Sequence, residues 1–286
     1  CMLIDMEAIM SKDLIVKSNH LIEASYYLTL NEQRVILLAI TQIYRKENIQ
    51  MTDLFKISAQ DFAKQFDLSL DGVYQELVKV TDKLYERSII INQPDPNNPK
   101  LQKTKTRWIS SISYMPDDGI LLLSFAQAVI PYLTLLQREF TQYKLAAISQ
   151  MTSIYAICLY ELLKQWGNIA KREVSIEWLK KQFEIDDKYD TLFNFKARVL
   201  TPAITQINKH SDLQVSYTQR KTGRVVTHFT FDFSPKLAIE TKPTTPKKRL
   251  KGETILGVLK ADIERLARAG ESYEQAAERI KKKGLV

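Results

Sequence analysis

The chain has 286 residues, is 45% hydrophobic and carries a net charge of +8, which allows one large or two ordinary domains and favours a polyanionic partner. Two cysteines and three scattered histidines form no disulfide framework or metal motif, and no apolar run is long enough to cross a bilayer. We expect a cytoplasmic protein, not an enzyme, with no cofactor and no metal.

Patterns in the first half follow the order helix, strand, helix, helix, hairpin. Thr29 and Glu32 form a capping box that predicts a helix to about Tyr44. The patterns that follow are a strand at Leu54–Ile57, a helix capped by Ser58, a helix capped by Asp71 that runs to about Arg87, and strands at Ile89–Ile91, Thr106–Tyr114 and Ile120–Phe125. Asp117, Asp118 and Gly119 predict the hairpin turn.

The second half repeats this order. A helix at Thr152–Trp166 precedes a short strand at Arg172–Val174 and a helix capped by Ser175. Residues 57–66, ISAQDFAKQF, align without gaps to residues 174–183, VSIEWLKKQF. Because this match accompanies the same order of elements, duplication of one domain explains it better than chance.

The stretch at 189–233 predicts a helix followed by a hairpin with a basic tip. One face of the helix is apolar and carries Leu192, Phe195, Val199, Ala203 and Ile207. The opposite face carries hydrogen-bonding groups on Asn194, Arg198, Thr201, Thr205 and Asn208. After His210 the period falls to two, and residues 220–224 form the predicted turn. Since such a helix fits the DNA major groove, this pattern predicts a winged helix.

We expect the second winged helix to read base edges and its hairpin to hold phosphates. Arg198 is the first candidate, because its guanidinium group can bond both acceptors of a guanine. The other candidates on the helix are Asn194, Lys196, Thr201 and Thr205, and those on the hairpin are Arg220, Lys221 and Arg224. The corresponding helix of the first half mixes charges of both signs, so its candidates are weaker: Gln75, Lys79, Lys83, Lys103, Lys105 and Arg107.

The predicted fold class is α+β, with two tandem winged-helix domains (a helix-turn-helix variant) and a basic helical C-terminal extension. The predicted divisions are an N-terminal segment at 1–28, domains at 29–140 and 141–235, and a tail at 236–286. Met10 is a candidate natural start, in which case residues 1–9 would not belong to the natural protein. In the tail, 241–249 has the composition of a disordered basic linker, and helices are predicted at 253–268 and 272–283. We expect a solvated appendage, with binding to a partner as the alternative.

Several segments of this chain resemble iteron-binding plasmid replication initiators, the RepA/RepE type of tandem winged-helix Rep protein, including the Acinetobacter-type plasmid Rep proteins. The resemblance covers roughly residues 12–234. Its strongest segments are 14–40 (LIVKSNHLIEASYYLTLNEQRVILLAI), 159–163 (LYELL), 195–204 (FKARVLTPAI) with Ile207 and Asn208, and Gly223-Arg224 before 229–231 (FTF).

The resemblance implies a bacterial initiator that binds direct repeats of double-stranded origin DNA as a monomer and helps open an AT-rich region. It further implies recruitment of the host replication initiator and helicase, and a homodimer in equilibrium with the monomer that represses its own promoter. In this family the second domain makes the main sequence-specific contacts, while the first contributes DNA contacts and the dimer interface. Two winged helices on one face of DNA would address grooves about 34 Å apart, so a repeat near 20 base pairs is expected.

Four alternatives remain open from the residues alone. A dimeric winged-helix transcriptional repressor satisfies the same physics and is the main one. A rolling-circle nickase would need paired histidines beside a catalytic tyrosine, and the three histidines are not paired. A nonspecific architectural protein and a plain helix packed on a hairpin complete the set.

Overall fold

The computed structural model describes residues 13–24, 26–43, 49–92, 100–134, 139–236, 254–256, 258–259 and 271–282. The chain divides into two compact units, one extending to Lys236 and the other covering Leu237–Val286. Residues 1–12 and 237–253, which include the predicted non-native start and the predicted basic linker, lie outside the described residues.

The first winged helix is built from three helices and a three-stranded antiparallel sheet. Its elements are α2 (Leu30–Ile40), β2 (Phe55–Ser58), α3 (Ala59–Gln65), α4 (Val73–Glu86), β5 (Ile109–Met115) and β6 (Ile120–Phe125). The sheet has the order β2-β6-β5. An additional antiparallel hairpin of β3 (Ser88–Asn92) and β4 (Lys103–Arg107) lies between α4 and β5 in sequence.

The second winged helix repeats this topology. Its elements are α6 (Ile154–Lys164), β8 (Lys171–Ser175), α7 (Ile176–Gln182), α8 (Leu192–Phe195), α9 (Thr201–His210), β9 (Leu213–Thr222) and β10 (Val225–Pro235). The sheet has the order β8-β10-β9, so the last strand again lies between the other two. The predicted fold class is therefore confirmed.

The aligned segments of the two halves also share backbone geometry. The Ser58 hydroxyl accepts from the Asp61 N–H, and the Ser175 hydroxyl accepts from the Trp178 N–H, so both short helices begin with the same cap. After these helices, Asp67 has φ 51° and Glu184 has φ 52°, and each is the residue directly after its aligned segment. A shared left-handed residue after a shared cap supports duplication more strongly than the letters alone.

Both winged helices contribute to a single hydrophobic core, and the segment before the first one joins it. Strand β1 (Leu14–Ser18), followed by the short α1 (Asn19–Ile22), pairs antiparallel with β7 (Phe140–Lys144), and α5 (Ala146–Ser149) leads into α6. The fully buried Lys17 of β1 forms an ion pair at 2.5 Å with the buried Glu161 of α6. Tyr143 of β7 also donates to Glu161. Strand β1 is therefore joined to β7 by backbone hydrogen bonds and to α6 by a buried ion pair.

Two further bonds cross between the halves. The Arg34 guanidinium donates to the Met151 carbonyl at 3.2 Å in a buried environment. The largely buried Arg172 forms an ion pair with Glu23 at 2.7 Å. The first bond joins α2 of the first winged helix to the segment before α6, and the second joins the residue after α1 to β8 of the second winged helix.

Several local predictions need correction. Asp71 does not cap α4, because the N-cap is Gly72 with φ 71° and without a side-chain bond. The predicted strand at Thr106–Tyr114 is two strands that separate at the fully buried Trp108, with β4 paired to β3 and β5 paired to β6. The capping box at Thr29 and the helix caps at Ser58 and Ser175 are confirmed.

The second unit contains a short strand pair and a helix. Strands β11 (Thr254–Ile255) and β12 (Val258–Leu259) pair antiparallel where a helix was predicted, and the rest of that predicted helix lies outside the described residues. Helix α10 (Tyr273–Lys282) confirms the second predicted helix of the tail. Its capping box is present, with Ser272 and Gln275 each accepting from the other's backbone N–H.

Candidate nucleic-acid interface

Helices α8 and α9 form one continuous helix that contains a π-helical turn. The π-helical segment covers Lys196–Leu200, and the Thr201 N–H bonds to the Lys196 carbonyl, five residues back. Pro202 follows immediately and has no N–H to donate to the Arg198 carbonyl in an α-helical ladder. The wider turn accommodates the hydrogen bond that is missing at this proline. Proline is a recognised cause of helix irregularity.

The π-helical turn decides which residues share a face of this helix. In an α-helix Arg198 lies above Asn194, four residues back, whereas in a π-helical turn it lies above Phe193, five residues back. The exposed residues combine both spacings, since most are four residues apart and Arg198 is five residues after Phe193. We call them the exposed stripe: Phe193, Ala197, Arg198, Thr201, Thr205 and Lys209.

The predicted helix residues divide into two groups. Arg198, Thr201 and Thr205 are exposed, while Asn194 and Lys196 are half-buried. The Thr205 hydroxyl donates to the Thr201 carbonyl at 2.9 Å, which leaves its oxygen available as an acceptor. Arg198 has no ion-pair partner in the described part of the chain. No Asp or Glu occurs between Leu192 and His210, so the helix surface is uniformly neutral or cationic.

The opposite face of the helix is fixed against the sheet. Phe195, Val199, Ala203 and Ile207 are fully buried, as predicted from the helical wheel. Asn208, predicted on the polar face, instead bonds the backbone of β9. Its amide donates to the Val215 carbonyl at 2.8 Å, and its oxygen accepts from the Val215 N–H at 2.6 Å. The helix and β9 are therefore held in a fixed relation.

The predicted basic turn of the second hairpin is shorter than expected. Thr222 pairs with Val225, so only Gly223 and Arg224 form the turn, and Gly223 has the positive φ of 62° that such turns require. Arg220 and Lys221 lie in β9. The pairing of β9 with β10 continues up to Thr222 because Gly223 is the first residue of this hairpin with a left-handed conformation.

Arg220 and Lys221 differ in their surroundings. Arg220 forms an ion pair with Glu173 of β8 at 3.1 Å, whereas Lys221 has no ion-pair partner in the ranges that the structure describes. The pKa of Glu173 is lowered, first by a hydrogen bond from Thr230 and then by Arg220. An ionised Glu173 offsets part of the positive charge of Arg220.

The corresponding surfaces of the first winged helix are less suited to a polyanion. Lys79 and Lys83 of α4 line a groove beside the start of α2 together with Glu32 and Glu76, and Gln75 is exposed on the same helix. The wing of this domain is the β5–β6 hairpin, whose turn holds Asp117 and Asp118. Acidic groups at this tip would repel phosphates.

The predicted cations after α4 lie on the additional β3–β4 hairpin. Lys103 and Lys105 are exposed on β4. Arg107 is engaged by the protein itself, with an ion pair to Glu86 at 3.2 Å and its guanidinium 4.8 Å from the centre of the Tyr85 ring. Lys103 and Lys105 are consequently the better placed of the three.

The two halves of the chain match two family models. Residues 14–164 match the model described as initiator replication protein, WH1, and residues 175–233 match the model described as initiator Rep protein, WH2. The chain belongs to the initiator replication protein family. The resemblance stated from the sequence is thereby confirmed.

Proteins with similar sequences include two proteins of Escherichia coli. The PI protein is 29% identical over 237 residues, covering 72% of this chain and 77% of that protein. A replication initiation protein is 22% identical over 265 residues, covering 88% and 80%. The chain is also similar to the crystal structure of Pi initiator protein in complex with iteron DNA, with 26% identity, a TM-score of 0.67, and coverage of 78% of this chain and 98% of that one.

Two features of this candidate interface were not predicted from the sequence. Phe193 is 77% exposed, and Ala197 is exposed beside Arg198, so the stripe has an apolar part. A helical wheel drawn with the π spacing would have placed both there. Glu173 was missed because its contact with Arg220 depends on the order of strands in the sheet.

The described ranges of this initiator lack two further classes of feature. No cluster of three or more His, Cys, Asp or Glu side chains there could hold a metal ion. None of the helices described is long and apolar enough to span a membrane.

Proposed function

We propose that this protein initiates plasmid replication by binding directly repeated origin DNA through its two winged helices. The observation that carries the proposal is the exposed stripe, in which Arg198, Thr201 and Thr205 stand on a helix without acidic residues. The Pi initiator, whose structure is similar over nearly its whole length, was crystallised with iteron DNA. Membership of the same family supports the same type of DNA partner here.

In the proposed complex the stripe lies in the major groove. Arg198 bonds the O6 and N7 acceptors of a guanine, and Thr201 and Thr205 supply hydroxyl groups to neighbouring bases. Asn194 and Lys196, which are half-buried, contact the groove edge or the backbone. Lys221 and Arg224 at the wing hold phosphates and set the register, with Arg220 contributing less because it is paired with Glu173.

The first winged helix contributes weaker contacts in this proposal. Lys103 and Lys105 on the additional hairpin are the first candidates for phosphate, followed by Gln75, Lys79 and Lys83 of α4, with Arg107 last. Two domains that dock on one face of the duplex give the expected repeat near 20 base pairs. We also propose that the domains divide near residue 140, where β7 begins.

The later steps follow from the family resemblance. The bound protein promotes opening of an adjacent AT-rich tract and recruits the host initiator and helicase. A homodimer, in equilibrium with the DNA-binding monomer, represses the gene's own promoter. We further propose that the protein acts in the bacterial cytoplasm and is not an enzyme.

A DNase I footprint over the region around the gene, at several protein concentrations, tests the proposal. We expect protection of tandem direct repeats beside an AT-rich tract. Protection of only a palindrome at a promoter would indicate a dimeric repressor. Binding that competitor DNA removes at every site would indicate a nonspecific architectural protein.

A further inference from the structure

Phe193 is the most exposed large apolar side chain in the described part of the chain, at 77%. A single exposed apolar residue needs no explanation by itself. The position of Phe193 needs an explanation, because this residue lies at the start of the helix that carries Arg198. The N-terminal residues of the recognition helix contact base edges in helix-turn-helix proteins.

The π-helical turn at Lys196–Leu200 lies between Phe193 and Thr201 and includes Arg198. Phe193, Ala197 and Thr201 are each four positions apart and all are exposed, so Phe193 stands at the start of the row that Arg198 adjoins. Ala197, directly before Arg198, is exposed as well. The stripe therefore begins with two apolar side chains and continues with the guanidinium and hydroxyl groups.

We propose that Phe193, supported by Ala197, reads the C5-methyl group of a thymine in the major groove. The thymine methyl is the apolar feature of a base edge in that groove, and Phe and Ala side chains are among those that contact it. Lys196, Arg198 and Lys209, with no acidic residue on the helix, supply the charge complementarity for this occupant. The inference rests on the proposed function and adds a second specificity determinant to it.

The position of the thymine follows from the helix geometry. Five residues span about 7 Å along a helix, and base pairs are about 3.4 Å apart along the DNA axis, so the thymine lies within about two base pairs of the guanine bound by Arg198. The recognised sequence would thus combine a guanine and a nearby thymine.

Replacing single thymines by deoxyuridine tests this directly, since only the methyl group is lost and base pairing is kept. The duplex is the direct repeat found by footprinting, and the full chain is used. With wild-type protein we expect one replacement to weaken binding about fourfold, corresponding to one buried methyl group. With Phe193→Ala that replacement should change Kd by less than about 1.5-fold, and Phe193→Leu should restore part of the sensitivity.

The control variant is Ile169→Ala, which also removes a strongly exposed apolar side chain, 62% exposed, from outside the helix. It should keep the wild-type response to deoxyuridine. Equal losses in wild type and Phe193→Ala at every thymine, or no loss in wild type, would overturn the inference while leaving the proposed function intact. If wild-type protein does not prefer the repeat to a scrambled duplex, the proposed function itself fails.

Discussion

Arg220 and Lys221 are neighbours on β9 with the same charge, yet only Arg220 has an acidic partner, Glu173 at 3.1 Å. A cation that is already paired releases less counterion from DNA when it binds a phosphate, because the protein must give up or share the internal contact. Sequence alone gives these two residues equal weight. The structure ranks Lys221 first.

We predict that Lys221→Ala lowers the slope of log Kd against log salt by about 0.9, the value for one phosphate contact, with sequence preference kept. Arg220→Ala should lower it by clearly less. Fluorescence anisotropy at several salt concentrations measures both slopes. A change at Arg220 that equals or exceeds the change at Lys221 would refute this ranking.

Residue positions on the helix were predictable where the 3.6-residue period holds. Arg198, Thr201 and Thr205 were predicted on the open face and are exposed there. Phe193 was missed because the π-helical turn beside Pro202 shifts the residues before it by one position. A proline inside a helical pattern indicates an irregularity but does not specify which form it takes.

At the scale of elements, the link between helix α9 and strand β9 determines how the wing stands relative to the helix. Asn208 makes two hydrogen bonds to the Val215 backbone, and Val215 is 2% exposed. The amide of Asn208 pairs with the N–H and the carbonyl of Val215 as a neighbouring strand would. It connects the helix that we propose for the major groove to the hairpin that we propose for the phosphates.

Asn208→Ala should lower the free energy of unfolding by about 2–4 kcal/mol, since it leaves a buried N–H and a buried carbonyl unpaired. The matched control Asn168→Ala removes the same side chain from an exposed turn and should cost less than about 0.5 kcal/mol. Urea denaturation followed by circular dichroism gives both values. Equal stability of the two variants would show that the two Asn208 hydrogen bonds contribute nothing to the free energy of unfolding.

Elements whose signals are local were predicted well. The caps at Thr29, Ser58 and Ser175 need only a few neighbouring residues, and all three form. The predicted strand through Trp108 was wrong because its division depends on two different partner strands far along the chain. The strand pair at 254–259 was mistaken for a helix, since short apolar runs suit either structure.

On the scale of the whole molecule, the two winged helices behave as one packed body up to Lys236. Strand β1 precedes the first domain in sequence but pairs with β7, and its Lys17 contacts Glu161 at the start of the second domain. The pairing of β1 with β7 joins residues more than a hundred positions apart, so no pattern of neighbouring residues indicates it. The sequence therefore predicted the two repeated units but not the way in which the N-terminal strand fastens them.

Lys17→Met should lower the free energy of unfolding by about 3–5 kcal/mol, because Glu161 is then buried without its cation. The double variant Lys17→Met with Glu161→Leu should recover at least half of this loss, since neither charge remains. Lys144→Met, on the exposed side of β7, is the matched control and should change stability by less than about 0.5 kcal/mol. The account of β1 fails if Lys17→Met is no more destabilising than the control.

Methylation protection at guanine N7 tests the central claim most directly, because it reports major-groove contact at single-base resolution. Wild-type protein should protect one guanine at the same position in each direct repeat, through Arg198. Arg198→Ala should lose that protection and bind the repeat at least tenfold more weakly, with nonspecific binding nearly unchanged. Protection that persists in Arg198→Ala, or equal weakening of specific and nonspecific binding, would contradict the assignment of this helix to sequence reading.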